Sequence, residues 1–202
     1  MKIIKIDPIS FGSNSYILTV DGKSAVVIDP SSPEICTELE KRALVCKYVL
    51  LTHGHFDHVG GCAALQSNGA EIWCGEWEAS LIFSKEYLSI FGGVQVPPFK
   101  VTRTLKHGES FVLCGIRFTA ILTAGHTKGS MCFVTEDNIF TGDTLLFRSV
   151  GRCDLPTGSF SELKSSLKKL SSLVGEYKIY GGHGADTTLS AEKKYNSYLS
   201  ED

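Results

Sequence analysis

Three of the six histidines in this chain lie within six consecutive positions, as His53, His55 and His58. Asp57 stands between the second and the third of them. Neutral imidazole is the commonest metal ligand in proteins, and imidazole together with carboxylate suits zinc and other first-row metals. The segment Thr52–Gly61 therefore predicts a metal site, and it offers enough donors to begin two neighbouring ones.

The residues on either side of this segment predict how it is held. The apolar run Tyr48–Leu51 before it predicts a buried strand, and apolar residues recur at helical spacing after it, from Val59 to Leu65. His53 and His55 are two positions apart, so an extended backbone points both side chains the same way. The next two donors begin the helix and are expected to point toward a second, adjacent site.

Three further candidate ligands lie far from this segment in the chain. His126, Asp143 and His183 each follow an apolar, strand-like run, and each lies next to a glycine. Glycine allows the backbone to approach closely or to take a positive φ, which helps several loops to meet at one point. The sequence predicts that these residues complete the metal site. The remaining histidine, His107, lies in the polar turn Lys106–Glu109 and is predicted to be an ordinary surface residue.

The order of these residues resembles the metallo-β-lactamase superfamily, whose pattern is HxHxDH followed by a distant His, a distant Asp and a final His. The resemblance extends from the strand before His53 to His183. Within the superfamily, the segments Gly142–Leu145, Gly151–Pro156 and Gly182–Thr188 are similar to the short, single-domain glyoxalase II-like (hydroxyacylglutathione hydrolase-like) hydrolases. The resemblance implies an α+β fold, namely an αββα sandwich of two mixed β-sheets flanked by helices.

The same resemblance implies a role for each candidate ligand. Metal one would be bound by His53, His55 and His126, metal two by Asp57, His58 and His183, and Asp143 would bridge them. Zinc is expected at both positions, with iron or manganese as alternatives, because nitrogen and carboxylate donors accept all three metals. A hydroxide that bridges two divalent metal ions would attack a carbonyl carbon. Asp57 is the expected catalytic residue, which orients the hydroxide and carries its proton.

The expected substrate is an acyl thioester, because a thiol has a pKa of roughly 8.5 and its thiolate leaves without a dedicated acid. Arg152 corresponds to the basic residue that the family places on the loop after the bridging aspartate, so it is the candidate substrate-binding residue. Asp154 and Ala185 stand where the family has aromatic residues, and we therefore expect a thiol other than glutathione. Two alternatives remain open: a mononuclear iron oxidoreductase similar to persulfide dioxygenases, and a lactonase or other ester hydrolase.

The composition sets further limits. A chain of 202 residues with 43% hydrophobic and 21% charged residues predicts one globular domain spanning residues 1–202. A net charge of −2 gives no electrostatic footprint for nucleic acid, and no apolar run reaches transmembrane length. Seven scattered cysteines without a CxxC pair predict reduced thiols and a cytoplasmic location. We expect a small-molecule substrate, no nucleic-acid partner and no membrane association, while the oligomeric state stays open.

Local patterns predict the elements around the site. Strands are predicted at Ile3–Ile6, Tyr16–Val20, Ala25–Ile28 and Glu71–Cys74, with a strand meander from Val101 to Phe140 that turns at Cys114–Gly115 and Asp137–Asn138. Helices are predicted at Pro33–Arg42, capped by Ser31 or Ser32, and at Phe160–Leu173 and Ser190–Tyr198. The aromatic segment Tyr87–Phe99 contains Gly-Gly and Pro-Pro and is a candidate lid over the metal site.

Overall fold

The computed structural model describes residues 1–8, 12–85, 87, 94 and 96–199. Within these residues, two six-stranded sheets form the body of the molecule. The strands are β1 (Lys2–Ile6), β2 (Ser15–Thr19), β3 (Ser24–Ile28), β4 (Val45–Leu51), β5 (Glu71–Gly75), β6 (Arg103–Leu105), β7 (Ser110–Leu113), β8 (Ile116–Leu122), β9 (Met131–Thr135), β10 (Asn138–Gly142), β11 (Lys178–Gly181) and β12 (Thr187–Thr188). The helices are α1 (Ile35–Glu40), α2 (Phe56–Val59), α3 (Cys62–Ser67), α4 (Glu76–Ala79), α5 (Phe160–Ser171) and α6 (Leu189–Tyr195).

Both sheets are mixed. The first has the order β1-β2-β3-β4-β5-β6, antiparallel from β1 to β3 and parallel from β3 to β6. The second has the order β12-β11-β10-β9-β8-β7, in which β10 and β11 are parallel and the other neighbours are antiparallel. The parallel neighbours are joined by helical crossovers, which place helices on the outer face of each sheet.

Side chains alternate between the two faces of each strand, so the hydrophobic core is divided into three layers. In β2, Tyr16 and Leu18 face the second sheet, whereas Ile17 faces the helices on the outside. The outer layer of the first sheet packs on α1, α2 and α3, and that of the second sheet packs on α5 and α6. Because neighbouring side chains on a strand point to opposite faces, a fully buried strand such as β2 is apolar on both sides. The predicted αββα sandwich is confirmed.

The helices of the described part of the chain are short. The longest of them, α5, begins at Phe160 after the N-cap Ser159, whose hydroxyl accepts a hydrogen bond from the Glu162 backbone N–H, and it buries Leu163, Leu167 and Leu170. The amphipathic helix predicted at Phe160–Leu173 is therefore present and ends at Ser171. A bilayer-spanning helix, which needs a long apolar run, does not occur among the described residues.

Three local predictions were wrong. Helix α1 starts at Ile35 without a side-chain cap, because its N-cap residue is Glu34, whose side chain makes no capping hydrogen bond, and neither Ser31 nor Ser32 occupies that position. The meander begins at Ser110: the preceding strand β6 pairs with β5 in the first sheet. The turn between β9 and β10 is Glu136–Asp137, one residue earlier than predicted, and Glu136 takes a positive φ of 50°.

Backbone hydrogen bonds join the two sheets at one edge. The Met131 N–H donates to the Thr52 carbonyl at 2.8 Å, and the Asn14 N–H donates to the Gly182 carbonyl at 2.7 Å. Gly142, at the end of β10, has a φ of 49°, and a Cβ there would lie 2.3 Å from the Thr52 hydroxyl oxygen. Only glycine fits this approach, so the edge where β4, β10 and β11 end is closely packed.

Tyr16 provides a test of this joint. Its buried hydroxyl donates to the Gly181 carbonyl at 2.7 Å, at the end of β11. We expect Tyr16→Phe to lower the free energy of unfolding by about 1 kcal/mol, as for a buried hydrogen bond. Urea unfolding measures the loss. The control Tyr195→Phe, at an exposed tyrosine, should change stability by less than about 0.5 kcal/mol; equal losses in both variants would contradict the assignment.

Candidate metal centre

Four segments at the joined edge carry the seven predicted donors. The loop after β4 carries His53 and His55, and helix α2, which this loop enters, carries Asp57 and His58. The loop between β8 and β9 carries His126, and the turns after β10 and β11 carry Asp143 and His183. The pairing register of β10 with β11 shifts between Phe140 and Gly142, directly before Asp143. Such an irregularity re-aims the residues that follow it. The structure brings all seven donors together.

The first group of donors consists of three buried imidazoles. The Nε2 atom of His126 lies 3.1 Å from the Nε2 of His53 and 2.9 Å from the Nδ1 of His55. Their rings stand nearly perpendicular to one another, at 83–90°. Three nitrogens bound to one tetrahedral zinc lie about 3.3 Å apart, which is close to these separations.

The outer hydrogen bonds fix which nitrogen of each ring faces inward. The Nδ1 of His126 is 2.6 Å from the Arg152 carbonyl oxygen, which can only accept, so this nitrogen carries the proton. The Thr52 hydroxyl donates to Asp29 and therefore accepts from the Nδ1 of His53. The Nε2 lone pairs of both rings consequently point at each other across 3.1 Å. A cation between them turns this repulsion into attraction.

The second group lies beside the first and contains both carboxylates. The Nε2 of His183 is 3.2 Å from Asp57 Oδ2, and the Nε2 of His58 is 3.7 Å from the same oxygen. Asp143 stands between the groups, with Oδ2 3.6 Å from His126 Nε2 and 3.5 Å from His183 Nε2. His58 Nε2 and Asp143 Oδ1 are buried without a hydrogen-bond partner among the described residues. Orphaned polar atoms of this kind fit a missing cation.

Electrostatics differ between the two groups. Burial, reinforced by the neighbouring imidazoles, lowers the pKa of His53 and brings that of His55 to about 3; burial also lowers the pKa of His126. These rings are therefore neutral, which is the form that binds metals. For His58, burial opposes protonation, but the Asp57 and Asp29 carboxylates raise its pKa well above the usual value. The second position thus attracts positive charge, which a divalent ion can supply.

Sequence reasoning missed Asp29, which orients His58. Its buried carboxylate accepts from the His58 ring at 2.9 Å, from the Thr52 hydroxyl at 2.6 Å and from the Thr52 backbone N–H at 2.8 Å. Carboxylates behind metal-binding histidines fix the tautomer and the ring orientation. Asp29 directly follows the apolar strand β3, just as the other donors follow strands, and this signal was present in the sequence. A second missed carboxylate is Glu78, which is fully buried between two of the donor loops.

The remaining predicted residues lie around the edge of the centre. The Arg152 guanidinium forms two hydrogen bonds with the Asp154 carboxylate, at 2.7 and 2.8 Å, and both side chains are exposed. Only its backbone carbonyl contacts a donor, His126. His107 is exposed and accepts a hydrogen bond from the Leu122 backbone N–H, as expected for a surface histidine.

Most of the candidate lid Tyr87–Phe99 lies outside the described residues. Tyr87 is buried, and its ring centroid is 5.0 Å from that of His55. Phe99 contacts Phe83, with ring centroids 5.1 Å apart, and packs against the outer core of the first sheet. One end of the segment therefore touches the centre and the other end joins the core, while the lid itself stays a prediction.

Comparison with known protein families shows which family this chain belongs to. The family model of the metallo-beta-lactamase superfamily matches residues 9–183, a span that contains all seven donors. This chain belongs to the metallo-β-lactamase superfamily. The resemblance that the sequence predicted is thereby confirmed, and the cluster of histidines and aspartates corresponds to a metal-binding site of a metallo-hydrolase.

Within the superfamily, similar proteins match the chain over almost its full length. The hydroxyacylglutathione hydrolase GloC of Haemophilus influenzae is 34% identical over 206 residues, covering 97% of both chains. The crystal structure of the B3 metallo-beta-lactamase BLEG-1 superposes with a TM-score of 0.92 at 28% identity, covering 99% of this chain and 100% of that one. The crystal structure of TTHA1623 in a di-iron-bound form superposes with a TM-score of 0.83 at 32% identity, covering 96% of this chain and 100% of that one.

The contacts of Asp29 predict its importance for metal retention. We expect Asp29→Asn to weaken metal binding at His58 by about 10–100-fold, the usual cost of losing a carboxylate behind a ligand. Metal content after dialysis against a weak chelator measures the effect. The control Asp137→Asn changes an exposed aspartate and should retain the wild-type metal content. Equal metal content in both variants would show that Asp29 does not orient the ligand.

Proposed function

We propose that this protein is a dinuclear metal-dependent hydrolase that acts on small acyl thioesters. The observation that carries the proposal is the placement of Asp143 between two donor groups, with one oxygen near His126 and His183 and the other near His58. A carboxylate in this position suits a bridge between two ions. The hydrolase named in the Haemophilus relative supports the thioester class.

The proposed ligands follow from the two groups. Metal one would be held by His53, His55 and His126. Metal two would be held by Asp57, His58 and His183, and Asp143 would contribute to both positions. When bound, two divalent ions supply an acidified water and polarise a carbonyl oxygen. Zinc is the default, and iron is the first alternative because TTHA1623 was solved in a di-iron-bound form.

The exposed side of the centre indicates where the substrate approaches. The three imidazoles of the first group are at most 5% exposed, whereas the side chain of His183 is 39% exposed and that of Asp57 is 14% exposed. The substrate carbonyl would therefore enter beside His183 and Asp57. Asp57 lies within reach of water on this side, so its carboxylate would orient the attacking water and accept its proton.

The leaving group favours a thioester. A thiolate is stable near neutral pH because its conjugate acid has a pKa of about 8.5, so its departure needs no proton from the protein. A β-lactam amine is a much stronger base and needs a proton as it leaves. The B3 metallo-beta-lactamase among the similar structures makes a β-lactam the first competing substrate to compare.

Arg152 is a weak determinant of the thiol. Its guanidinium is already paired with Asp154, and both side chains are more than 60% exposed. Solvent screens an exposed ion pair, so a charge contact here contributes little free energy, and a substrate carboxylate would have to displace Asp154 to reach the cation. We therefore propose that the site does not select glutathione over smaller thiols.

Metal analysis of variants tests the ligand assignment. Wild-type protein should contain two transition-metal ions per chain by elemental analysis. The Asp143→Asn variant should lose most of both metal ions, because the shared carboxylate loses its charge. The Asp57→Asn variant should lose mainly metal two. Circular dichroism checks that each variant folds. Wild-type metal content in both variants, or no metal in the wild type after reconstitution, would contradict the dinuclear assignment.

A substrate comparison tests the reaction and its specificity. We expect hydrolysis of small acyl thioesters and of S-lactoylglutathione with kcat/KM values within about tenfold of each other, because a solvent-exposed charge contact adds little selectivity. Arg152→Ala should change that ratio by less than about fivefold. Lactones and a β-lactam serve as competing substrates, and oxygen consumption with a persulfide tests the oxidoreductase alternative. A strong glutathione preference that Arg152→Ala abolishes would refute the specificity, and activity on a competing class alone would refute the reaction.

A further inference from the structure

Glu78 is a carboxylate buried at the contact between two donor loops. It belongs to α4 and has no exposed surface. Its Oε1 accepts from the Gly54 N–H and from the Tyr87 hydroxyl, both at 2.7 Å. Its Oε2 accepts from the Thr127 hydroxyl at 2.8 Å, and the Gly129 N–H also donates to the carboxylate. Four donors therefore converge on one side chain.

These donors share one property, which is their closeness to the three imidazoles of the first group. Gly54 separates His53 from His55 in the chain, and Thr127 follows His126. The ring of Tyr87, whose hydroxyl reaches Glu78, packs on His55. One carboxylate is therefore bonded to both loops that supply the first metal position, and to the side chain that packs on one of its rings.

The two glycines show how tightly the loops close on Glu78. A Cβ on Gly129 would lie 2.3 Å from the Glu78 backbone nitrogen and 2.5 Å from its Oε2. A Cβ on Gly54 would lie 3.2 Å from Oε1 and 2.5 Å from the Ile82 side chain. Neither loop can come this close with a larger residue, so the carboxylate sits in a pocket formed by the two backbones.

Burying a carboxylate costs free energy because its charged form loses hydration. Burial accordingly raises the pKa of Glu78, although the hydrogen bonds to its carboxylate lower that pKa. An apolar side chain of similar volume would pack the same space without desolvating a charge. An apolar residue would, however, leave the Gly54 and Gly129 N–H groups and two hydroxyls without an acceptor. The position needs an acceptor because it orders both loops, not because it fills space.

We propose that Glu78 is a positioning residue that holds His53, His55 and His126 in their metal-binding arrangement before any metal arrives. This inference rests on the proposed metal-one site and extends it, since Glu78 contacts the ligand loops and none of the ligands' donor atoms. Its loss should weaken metal one selectively and leave metal two unaffected.

Glu192 is a matched control. It is equally buried and also accepts several hydrogen bonds, from the Arg148 N–H, the Thr187 hydroxyl and the Asn196 amide. These partners lie in the loop after β10, in β12 and directly after α6, and none is a proposed ligand. Glu78→Gln and Glu192→Gln thus make the same chemical change in similar surroundings, with only the first at the donor loops.

The measurement is a calorimetric titration of metal-free protein with Zn²⁺, in a His183→Ala background that keeps every metal-one ligand and lacks one ligand of metal two. We expect Glu78→Gln to weaken this site about 10–100-fold, the usual effect of losing such support, and Glu192→Gln to change it less than threefold. Thermal unfolding without metal reports the loss of stability in each variant. Comparable stability losses with unchanged zinc affinity in both would overturn the inference and reduce Glu78 to a structural role.

A second pair of variants decides the question if Glu78→Gln does not fold. Thr127→Val removes one donor to Glu78 but keeps the shape, whereas Thr127→Ser retains the hydroxyl. The valine variant should bind zinc more weakly than the serine variant, and equal affinities would overturn the inference. If the His183→Ala protein itself binds no Zn²⁺, the metal-one assignment fails, which is a failure of the proposed function and is separate from the comparison of variants.

Discussion

The structure depends on one electrostatic conflict, the convergence of lone pairs from five imidazoles and two carboxylates at a single edge. Two ring nitrogens with inward lone pairs face each other at 3.1 Å, and a buried imidazole nitrogen and carboxylate oxygen lack partners among the described residues. Buried polar atoms without partners are costly, so the fold must hold them in place against their mutual repulsion. The close glycine contacts, the strand ends and the carboxylates behind the rings all serve this purpose.

The two proposed metal positions meet this conflict differently. The first is built from neutral rings whose low pKa values follow from burial, so its geometry has to come from the loops and from the groups behind them. The second contains Asp57 and is backed by Asp29, so its negative charge attracts a cation directly. The first position is therefore defined by burial and by the rigidity of its loops, whereas the second is defined by its negative charge. The more exposed, charged position is also the one beside which a substrate has access.

The seven donors could be predicted because they depend on local patterns, and the layered fold was predicted from the family resemblance that those donors carry. The donors follow apolar strands and adjoin glycines, and the motif around His53 is dense enough to stand out from the rest of the chain. Asp29 follows a strand as the donors do, but its partner His58 lies 29 residues away, so only its candidacy and not its role was visible in the sequence. Glu78 escaped notice because its partners, such as Thr127, lie far along the chain. Long-range partners of this kind follow from tertiary packing and are not visible in residue spacing.

The errors in the elements have different origins. Strand β6 follows the pattern of the meander after it, but its three residues pair with β5, a choice set by the crossover and not by composition. Ser32 is a type of residue that caps helices, yet Glu34 occupies the N-cap position of α1 and its side chain makes no capping hydrogen bond. The side chain of Arg152 could be assigned to a substrate or to an ion pair, and only the three-dimensional structure places it on Asp154.

The position of β11 has a consequence for how the molecule is assembled during synthesis. This strand lies between β10 and β12, runs parallel to β10 and leads into His183. Chains fold from the N-terminus as they are made, and parallel pairing over long separations is slow. All three imidazoles of the first group precede β11 in the chain, whereas the second group is incomplete until β11 has docked. Under the proposed assignment, the ligands of metal one are therefore synthesised first, and the ligand set of metal two is complete only after β11 has been inserted.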